Sequence, residues 1–322
     1  LTVAETEHLF DVVRLLKSRG VTVIYISHRL DEIFQICDRI SVLRDGQFVR
    51  TLKTSETDRN QLIALMVGRE LTQTYPSRTN EIGDVSLRVE GLVNDKLKGV
   101  TFEAHKGEIL GLSGLIGSGR TETARAVFGA DKKTAGRIFI NGQEVKTKTP
   151  CDAIRLGIGL IPEDRKRQGV FLRESIRWNT SIVNIKNISK YFIVDRKQEK
   201  KDAEYFRDKL RIRTPSILQT VGNLSGGNQQ KVVLAKTLAA NSNIVIFDEP
   251  TRGIDVGARY EIYLLMNELA AEGKTIIMIT SDMEELLGMS DRILVFYNGT
   301  IAGELQKDEF SQVRILELAS GE

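Results

Sequence analysis

Any fold for this chain must accommodate two copies of one unit placed 253 residues apart. Residues 16–46 read LKSRGVTVIYISHRLDEIFQICDRISVLRDG, and residues 269–299 read LAAEGKTIIMITSDMEELLGMSDRILVFYNG. Gly20 matches Gly273, Asp38-Arg39-Ile40 matches Asp291-Arg292-Ile293, and Gly46 matches Gly299, with no gap. Generic strand–helix units do not share that order of glycine, β-branched run, helical stretch, Asp-Arg-Ile, strand and closing glycine. Everything ahead of residue 254 in the second copy has its counterpart before Leu1. The expectation is therefore a longer native polypeptide, with the first copy present only as its tail.

Periodicity supplies a coarse map. Leu9, Val12, Val13 and Leu16 recur at helical spacing, which predicts a helix over 4–19. The β-branched run 21–26 behind Gly20 predicts a buried strand, and 39–52 a hairpin turning at Asp45-Gly46. Residues 58–67 read as a helix, and the polar stretch 70–84 with Pro76 as a linker. Strands are then predicted near 85–92, 98–104, 108–113, 137–140, 157–161, 244–248, 275–280 and 292–297, most of them separated by helices. That alternation implies an α/β core with a mostly parallel sheet.

Composition narrows the function classes. A formal charge of +3 with scattered basic residues carries no stripe of the kind that grips nucleic acid. No apolar run reaches the ~18 residues that span a bilayer, and the start lacks a signal-peptide pattern. The expectation is a cytoplasmic chain whose membrane role comes through a partner. Cys37 and Cys151 form no metal or redox motif and read as free thiols. His8 and His105 read as surface residues, Trp178 as packing in a helical subdomain, and the run 195–201 (DRKQEKK) as a solvated helix face.

Three segments carry chemistry. Gly114-Leu115-Ile116-Gly117-Ser118-Gly119-Arg120-Thr121 follows an apolar strand and precedes a helical stretch. Glycines at Gly114, Gly117 and Gly119 let backbone N–H groups curl around phosphate oxygens, and the helix start adds its positive dipole end. Ser118 and Glu122 belong to the same candidate site, and Thr121 is placed to set its hydroxyl on a nucleotide-bound Mg²⁺. Arg120 stands where such loops carry lysine, and its planar fork is not equivalent to a point charge. Further on, Leu224-Ser225-Gly226-Gly227-Asn228-Gln229-Gln230 opens a helical pattern, making Ser225, Gly226 and Gly227 a second anion-binding helix start. Then Ile244-Val245-Ile246-Phe247-Asp248-Glu249-Pro250 is a buried strand ending in two acids at the edge where α/β sheets bind ligands. Asp248 is the candidate for holding Mg²⁺ through water, and Glu249 for orienting or deprotonating an attacking water.

LSGGNQQ followed by IVIFDEPTRGIDVGA, together with the glycine-rich loop, resembles the ATP-binding-cassette family. The resemblance implies a P-loop NTPase core with a mostly parallel sheet, an antiparallel β subdomain and a helical subdomain over about 164–240. It covers 85–322 as one whole cassette, 71–84 as linker, and 1–70 as the tail of another. The family's glutamine after the third core strand is replaced within Ile161-Pro162-Glu163-Asp164-Arg165-Lys166, and its switch histidine falls at Ser281. In the first copy the matching residue is His28. Residues 85–99 hold no aromatic where the family stacks adenine. The combination of GLIGSGRTE, IPEDRK, LSGGNQQK, TRGIDVGA and Ser281 is similar to the second half of tandem ATPase subunits of bacterial monosaccharide importers of the ribose, galactose and xylose type; a related branch imports nucleosides.

The resemblance further implies two cassettes facing head to tail, each ATP lying between the glycine loop of one and the signature of the other. Ser225, Gly226 and Gly227 would complete the site of the first half, together with His28. The second site would use Gly114–Thr121, Asp248 and Glu249, weakened by Arg120 and Ser281. Implied partners are membrane permease subunits docking near 163–185, a sugar-binding protein acting indirectly, the first cassette or a second copy of this chain, and no nucleic acid. The implied location is peripheral, on the cytoplasmic face of the membrane. Two other classes stay open at this point: a non-hydrolysing ATP-binding scaffold, and a tandem cassette acting on ribosomes or DNA, which the short connector disfavours.

Overall fold

The computed structural model describes residues 3–27, 30–44, 47–67, 75–78, 81–191, 193–254 and 256–321. The chain forms two compact units, Leu1–Thr74 with Asp255–Gly257, and Tyr75–Ile254 with Ala258–Glu322. His28 and the turn residues Asp45 and Gly46 lie outside the described residues.

The first unit holds helices α1 (Val3–Ser18) and α2 (Leu30–Ile36), the hairpin β1 (Arg39–Arg44) with β2 (Gln47–Lys53), and α3 (Arg59–Val67). Leu30, Ile33, Ile40, Val42 and Leu62 make one small core, and Phe10, Val13 and Ile36 another. One expectation fails. Residues 21–27 form no strand, and Ile24 and Ile26 are 86% and 93% exposed. A strand requires a ladder partner. In this unit β1 and β2 pair with each other and leave no parallel neighbour for the run among the described residues.

The second unit continues with β3 (Val85–Val93), β4 (Lys98–His105), β5 (Ile109–Gly114), α4 (Arg120–Val127), β6 (Ala135–Ile140), β7 (Gln143–Val145), α5 (Pro150–Arg155) and β8 (Ile158–Ile161). After these come α6 (Ile176–Ser181), β9 (Ser189–Lys190), β10 (Ile193–Val194), α7 (Arg196–Lys209), α8 (Gly226–Leu238) and β11 (Ile244–Asp248). The chain closes with α9 (Val256–Ala271), β12 (Thr275–Ile279), α10 (Met283–Met289), β13 (Arg292–Tyr297), β14 (Thr300–Gln306) and α11 (Gln312–Ser320). Shifted back by 253 residues, α9, α10, β13, β14 and α11 fall on α1, α2, β1, β2 and α3 residue for residue, and only β12 has no counterpart among the described residues.

A six-stranded sheet runs β14-β13-β5-β12-β11-β8, parallel except for the β14 edge, and an antiparallel sheet runs β4-β3-β6-β7. Alternate residues of the parallel strands serve opposite layers, as period-two geometry requires. Val245, Phe247, Ile276, Met278, Ile293 and Val295 join one core with side chains of α8, α9, α10 and α11. Ile244, Ile246, Ile277, Ile279, Leu294 and Phe296 join the other, with α4 and the antiparallel sheet. The fold is that of a P-loop NTPase cassette. Among the described residues no helix is long and apolar enough to cross a membrane.

The charge run 195–201 is exposed, as the solvated reading expects, except at Glu199. Asp195 caps α7 by accepting from the amides of Lys197 and Gln198, but Glu199 is buried. It accepts from Ser181 Oγ at 3.1 Å and pairs with Arg196 and Arg177 at 2.9 and 3.5 Å. Trp178 meets Phe171 edge to face, with ring centroids 4.8 Å apart.

Candidate functional site

The site is assembled at the carboxyl ends of β5, β11 and β12, where these parallel strands release the chain into turns. β5 ends at Gly114, whose φ of +143° only glycine adopts comfortably. The turn that follows is braced from behind by the β13–β14 turn, where Gly299 N donates to Ser118 O at 2.9 Å. Gly117 and Gly119 also take positive φ, and Gly119 sits at the N-cap of α4 with no side chain to occupy the helix end. The amides of that end are thus left to an outside acceptor. Ser118 Oγ is buried and has no hydrogen-bond partner among the described residues. Buried hydroxyls are almost always paired, so this one points to a missing acceptor or donor.

The acids arrive from β11. Asp248, 3% exposed, accepts from Thr121 Oγ1 at 3.2 Å, joining the strand end to the first turn of α4. Burial pushes its carboxyl up to about 6, the Thr121 hydrogen bond opposing and the neighbouring Glu249 adding to the rise. Glu249 takes a left-handed backbone (φ +49°), uncommon for a side chain of its size. Its amide donates to Ile279 O at 2.9 Å, and its Oε2 accepts from Ser281 Oγ at 3.1 Å. Such strain held in place by neighbours is a mark of a functional position.

Arg120, the first residue of α4, reaches toward the end of β12. Its guanidinium is buried and Nη1 donates to Thr280 O at 2.9 Å, so part of its donor fork is spent on β12's end. Burial presses its pKa down against the pull of Glu249 and Asp248. Glu122 is engaged by Lys96 at 2.6 Å. Thr280, not picked out from the sequence, is the pivot: its carbonyl takes Arg120, and its hydroxyl donates to the buried Glu285. Burial pushes Glu285 up to about 6. The only sequence signal for this arrangement was the Thr-Ser-Asp run ahead of α10.

Gly114–Thr121, Asp248, Glu249 and Ser281 are therefore brought together. Ser225, Gly226 and Gly227 stand on another element, the start of α8. There Ser225 Oγ accepts from Asn228 Nδ2 at 2.9 Å, and makes no cap of its own. His28 lies outside the described residues. Among the described residues no cluster of three or more His, Cys, Asp or Glu could hold a metal by itself. The donors present, one hydroxyl and one buried carboxylate, suit a hard divalent cation that takes its remaining oxygens from phosphate and water.

The family model described as ABC transporter matches residues 97–252, the stretch that holds the glycine turn, the start of α8 and the two acids. Over that stretch, just under half of its length, the chain is similar to the ABC transporter family. It is 49% identical, over 323 residues, to the ribose import ATP-binding protein RbsA of Clostridium perfringens (strain SM101 / Type A), an alignment covering 100% of this chain and 64% of that protein. It is 48% identical to the protein of the same name from Streptococcus agalactiae serotype V, covering 100% of this chain and 65% of the relative. The chain thus spans just under two thirds of the curated relatives it matches. Its fold is shared by a nucleotide-free ATP-binding cassette from an ABC transporter, with a TM-score of 0.65 at 23% identity, covering 74% of this chain and 100% of the other.

Proposed function

We propose that this chain binds Mg²⁺·ATP between Gly114–Thr121 and Asp248, and belongs to an ATPase that energises import of a simple sugar through a membrane permease. The observation that carries the reading is the Thr121–Asp248 contact at the mouth of the glycine turn, beside an unpartnered Ser118 hydroxyl. Whole-chain similarity to ribose import ATP-binding proteins supports the sugar. When bound, Mg²⁺ would draw charge from the phosphates. The turn amides and Ser118 would hold the phosphate oxygens, Thr121 and Asp248 the cation, and Glu249 would orient water. Ser225–Gly227 would serve the nucleotide of a facing cassette, the first half or a second copy, with His28 acting there. The boundaries proposed are 1–70 for the first cassette's tail, 71–84 for the linker and 85–322 for the second cassette. The test is ATP-dependent ribose uptake by vesicles holding the permease and the tandem protein; uptake with another sugar but not ribose would overturn the sugar assignment, and no uptake the importer reading.

The permease would dock at the cytoplasmic face in a cleft of about 430 Å³ lined by Phe128, Pro150, Ile154, Leu160, Gln168 and Lys236. Gln168 lies in the 163–185 stretch singled out from sequence. Burial lowers Lys236 to about 8, and its ammonium donates to Gly169 O.

Two further results follow from the site. The cation needs ionised Asp248, so the Mg²⁺-dependent part of ATP affinity should hold above about pH 6 and fall up to tenfold per unit below it. Titration calorimetry from pH 5 to 8, with and without Mg²⁺, reads this, and a flat profile would reject Asp248 as the ligand. Hydrolysis at this site should be slow, because Arg120 is turned to Thr280 and Ser281 replaces an imidazole beside Glu249. Arg120→Lys combined with Ser281→His should raise it by about 100-fold, the size of one well-placed charge-stabilising contact. Single-turnover assays of the tandem protein measure the gain. Absence of any gain would favour the second reading, a nucleotide-binding scaffold.

A further inference from the structure

Immediately after β8, Asp164 caps a π-helical turn, Arg165–Gly169, by accepting from the amides of Lys166 and Arg167 at 3.1 Å. Such turns often mark functional positions. This one sends the Arg165 side chain across to the loop that follows Glu249. Nη1 donates to Arg252 O at 3.0 Å and Nη2 to Gly253 O at 3.2 Å. The Arg252 guanidinium returns the contact by pairing with the Glu163 carboxylate. The same Nη2 lies over the start of α8. A Cβ built on Gly226 would stand 2.7 Å from Nη2 and 3.4 Å from Gly253 O. The first glycine of LSGG is therefore closed off on one side by Arg165 and the 252–253 backbone. Three segments distant in sequence, 163–165, 225–226 and 252–253, meet around one guanidinium.

We propose that Arg165 is a positioning residue that locks the start of α8 to the loop behind Glu249, so that the two move as one body. The proposal rests on the nucleotide-binding reading above and deepens it. Asp248 and Glu249 belong to this cassette's own site, whereas Ser225–Gly227 serve the facing one. A rigid link between the acid-bearing strand and the signature start passes the state of one nucleotide to the other. Arginine is required because its planar fork spans two successive carbonyls while its face covers a glycine; lysine keeps the charge but reaches one acceptor at a time. Glu163 adds the second tie by holding Arg252, the residue whose carbonyl takes the first prong.

Arg165→Lys in the full chain tests the link. By hydrogen–deuterium exchange, amides of both 225–228 and 252–254 should exchange about tenfold faster, as the loss of one of the two hydrogen bonds at the loop would give. The melting temperature should stay within about 2 °C of the parent, since the contacts are at the surface. Faster exchange in one segment alone, or in neither, would overturn the proposal. In ATPase assays of the tandem protein, the variant should lose about tenfold in kcat with the KM for ATP held within about twofold. A loss that tracks a fall in melting temperature would reduce Arg165 to a structural role. Gly226→Ala should cost as much as Arg165→Ala, and the double variant no more than either; additive losses would sever the two residues. An unmodified protein that never turns over ATP would end the parent reading, while the exchange experiment would still decide the link.

Discussion

Asp248→Asn should weaken Mg²⁺·ATP binding by about 100-fold while leaving ATP affinity without Mg²⁺ nearly unchanged, and should raise the melting temperature of the nucleotide-free protein. The first effect follows from removing the carboxylate bonded to Thr121 at the turn; a loss of ~2.7 kcal/mol is what one preorganised charge contact is commonly worth. The second follows from the sign of the Asp248 shift. Its folded pKa, about 6, stands above the ordinary 3.8, so the folded state holds the proton more tightly than the unfolded one. The stability this gives is complete below about pH 3.8 and is lost as pH rises through about 6. At neutral pH the ionised group therefore burdens the fold, by at most about 3 kcal/mol at 1.36 kcal/mol per unit. Asparagine removes that burden and keeps an oxygen to accept from Thr121, so a rise of about 2–4 °C is expected. Calorimetry and thermal unfolding at pH 7.5 measure both. Mg²⁺·ATP affinity unchanged in a variant that melts no lower than the parent would reject Asp248 as the cation's ligand.

The two halves of that expectation show where sequence reasoning reached and where it stopped. Gly114–Thr121 and Asp248–Glu249 were legible because each is a local pattern: a glycine-punctuated turn after an apolar strand, and acids at a buried strand's end. The runs 244–248 and 275–279 became strands buried on both faces, as their β-branched character predicts. Residues 21–26 have the same character and form none. Thr275–Ile279 is flanked by β11 and β5, but no such neighbours are present among the described residues of the first unit. Composition says what a segment can do, and a ladder partner decides whether it does. Long-range side-chain destinations were equally hidden. Nothing near Arg120 announces that its fork turns to Thr280, 160 residues away, or that Arg165 reaches 87 residues to Arg252. Glu199 sits in a run that reads as solvent-facing, yet Arg177, Arg196 and Ser181 together bury it.

Gly114→Ala should lower the melting temperature by roughly 5–15 °C and abolish measurable nucleotide binding, whereas Gly117→Ala should cost only a few degrees. Both glycines have positive φ, so backbone freedom alone does not separate them. Space does. A Cβ at Gly114 would lie 2.5 Å from Phe296 O and 2.6 Å from Ser118 Oγ; at Gly117 it would meet nothing within 4 Å. The Phe296 carbonyl cannot swing aside, because Phe296 is registered against Gly114 in the β13–β5 ladder and its ring is fully buried. The methyl group must therefore either prise β5 away from β13 or push the glycine turn outward. Overpacking of this kind costs about 1–3 kcal/mol. Backbone strain adds a similar ~1–3 kcal/mol at Gly114 and is the whole cost at Gly117. An outward push would also carry Ser118 and the α4 amides away from the place where Asp248 and Thr121 meet, which is why binding should vanish along with stability. Thermal unfolding of the two variants side by side, with a fluorescent ATP analogue as the binding readout, separates the outcomes. Equal damage at both positions would mean that the turn is governed by φ alone, and that the β13 carbonyl does not set the shape of the phosphate-binding loop.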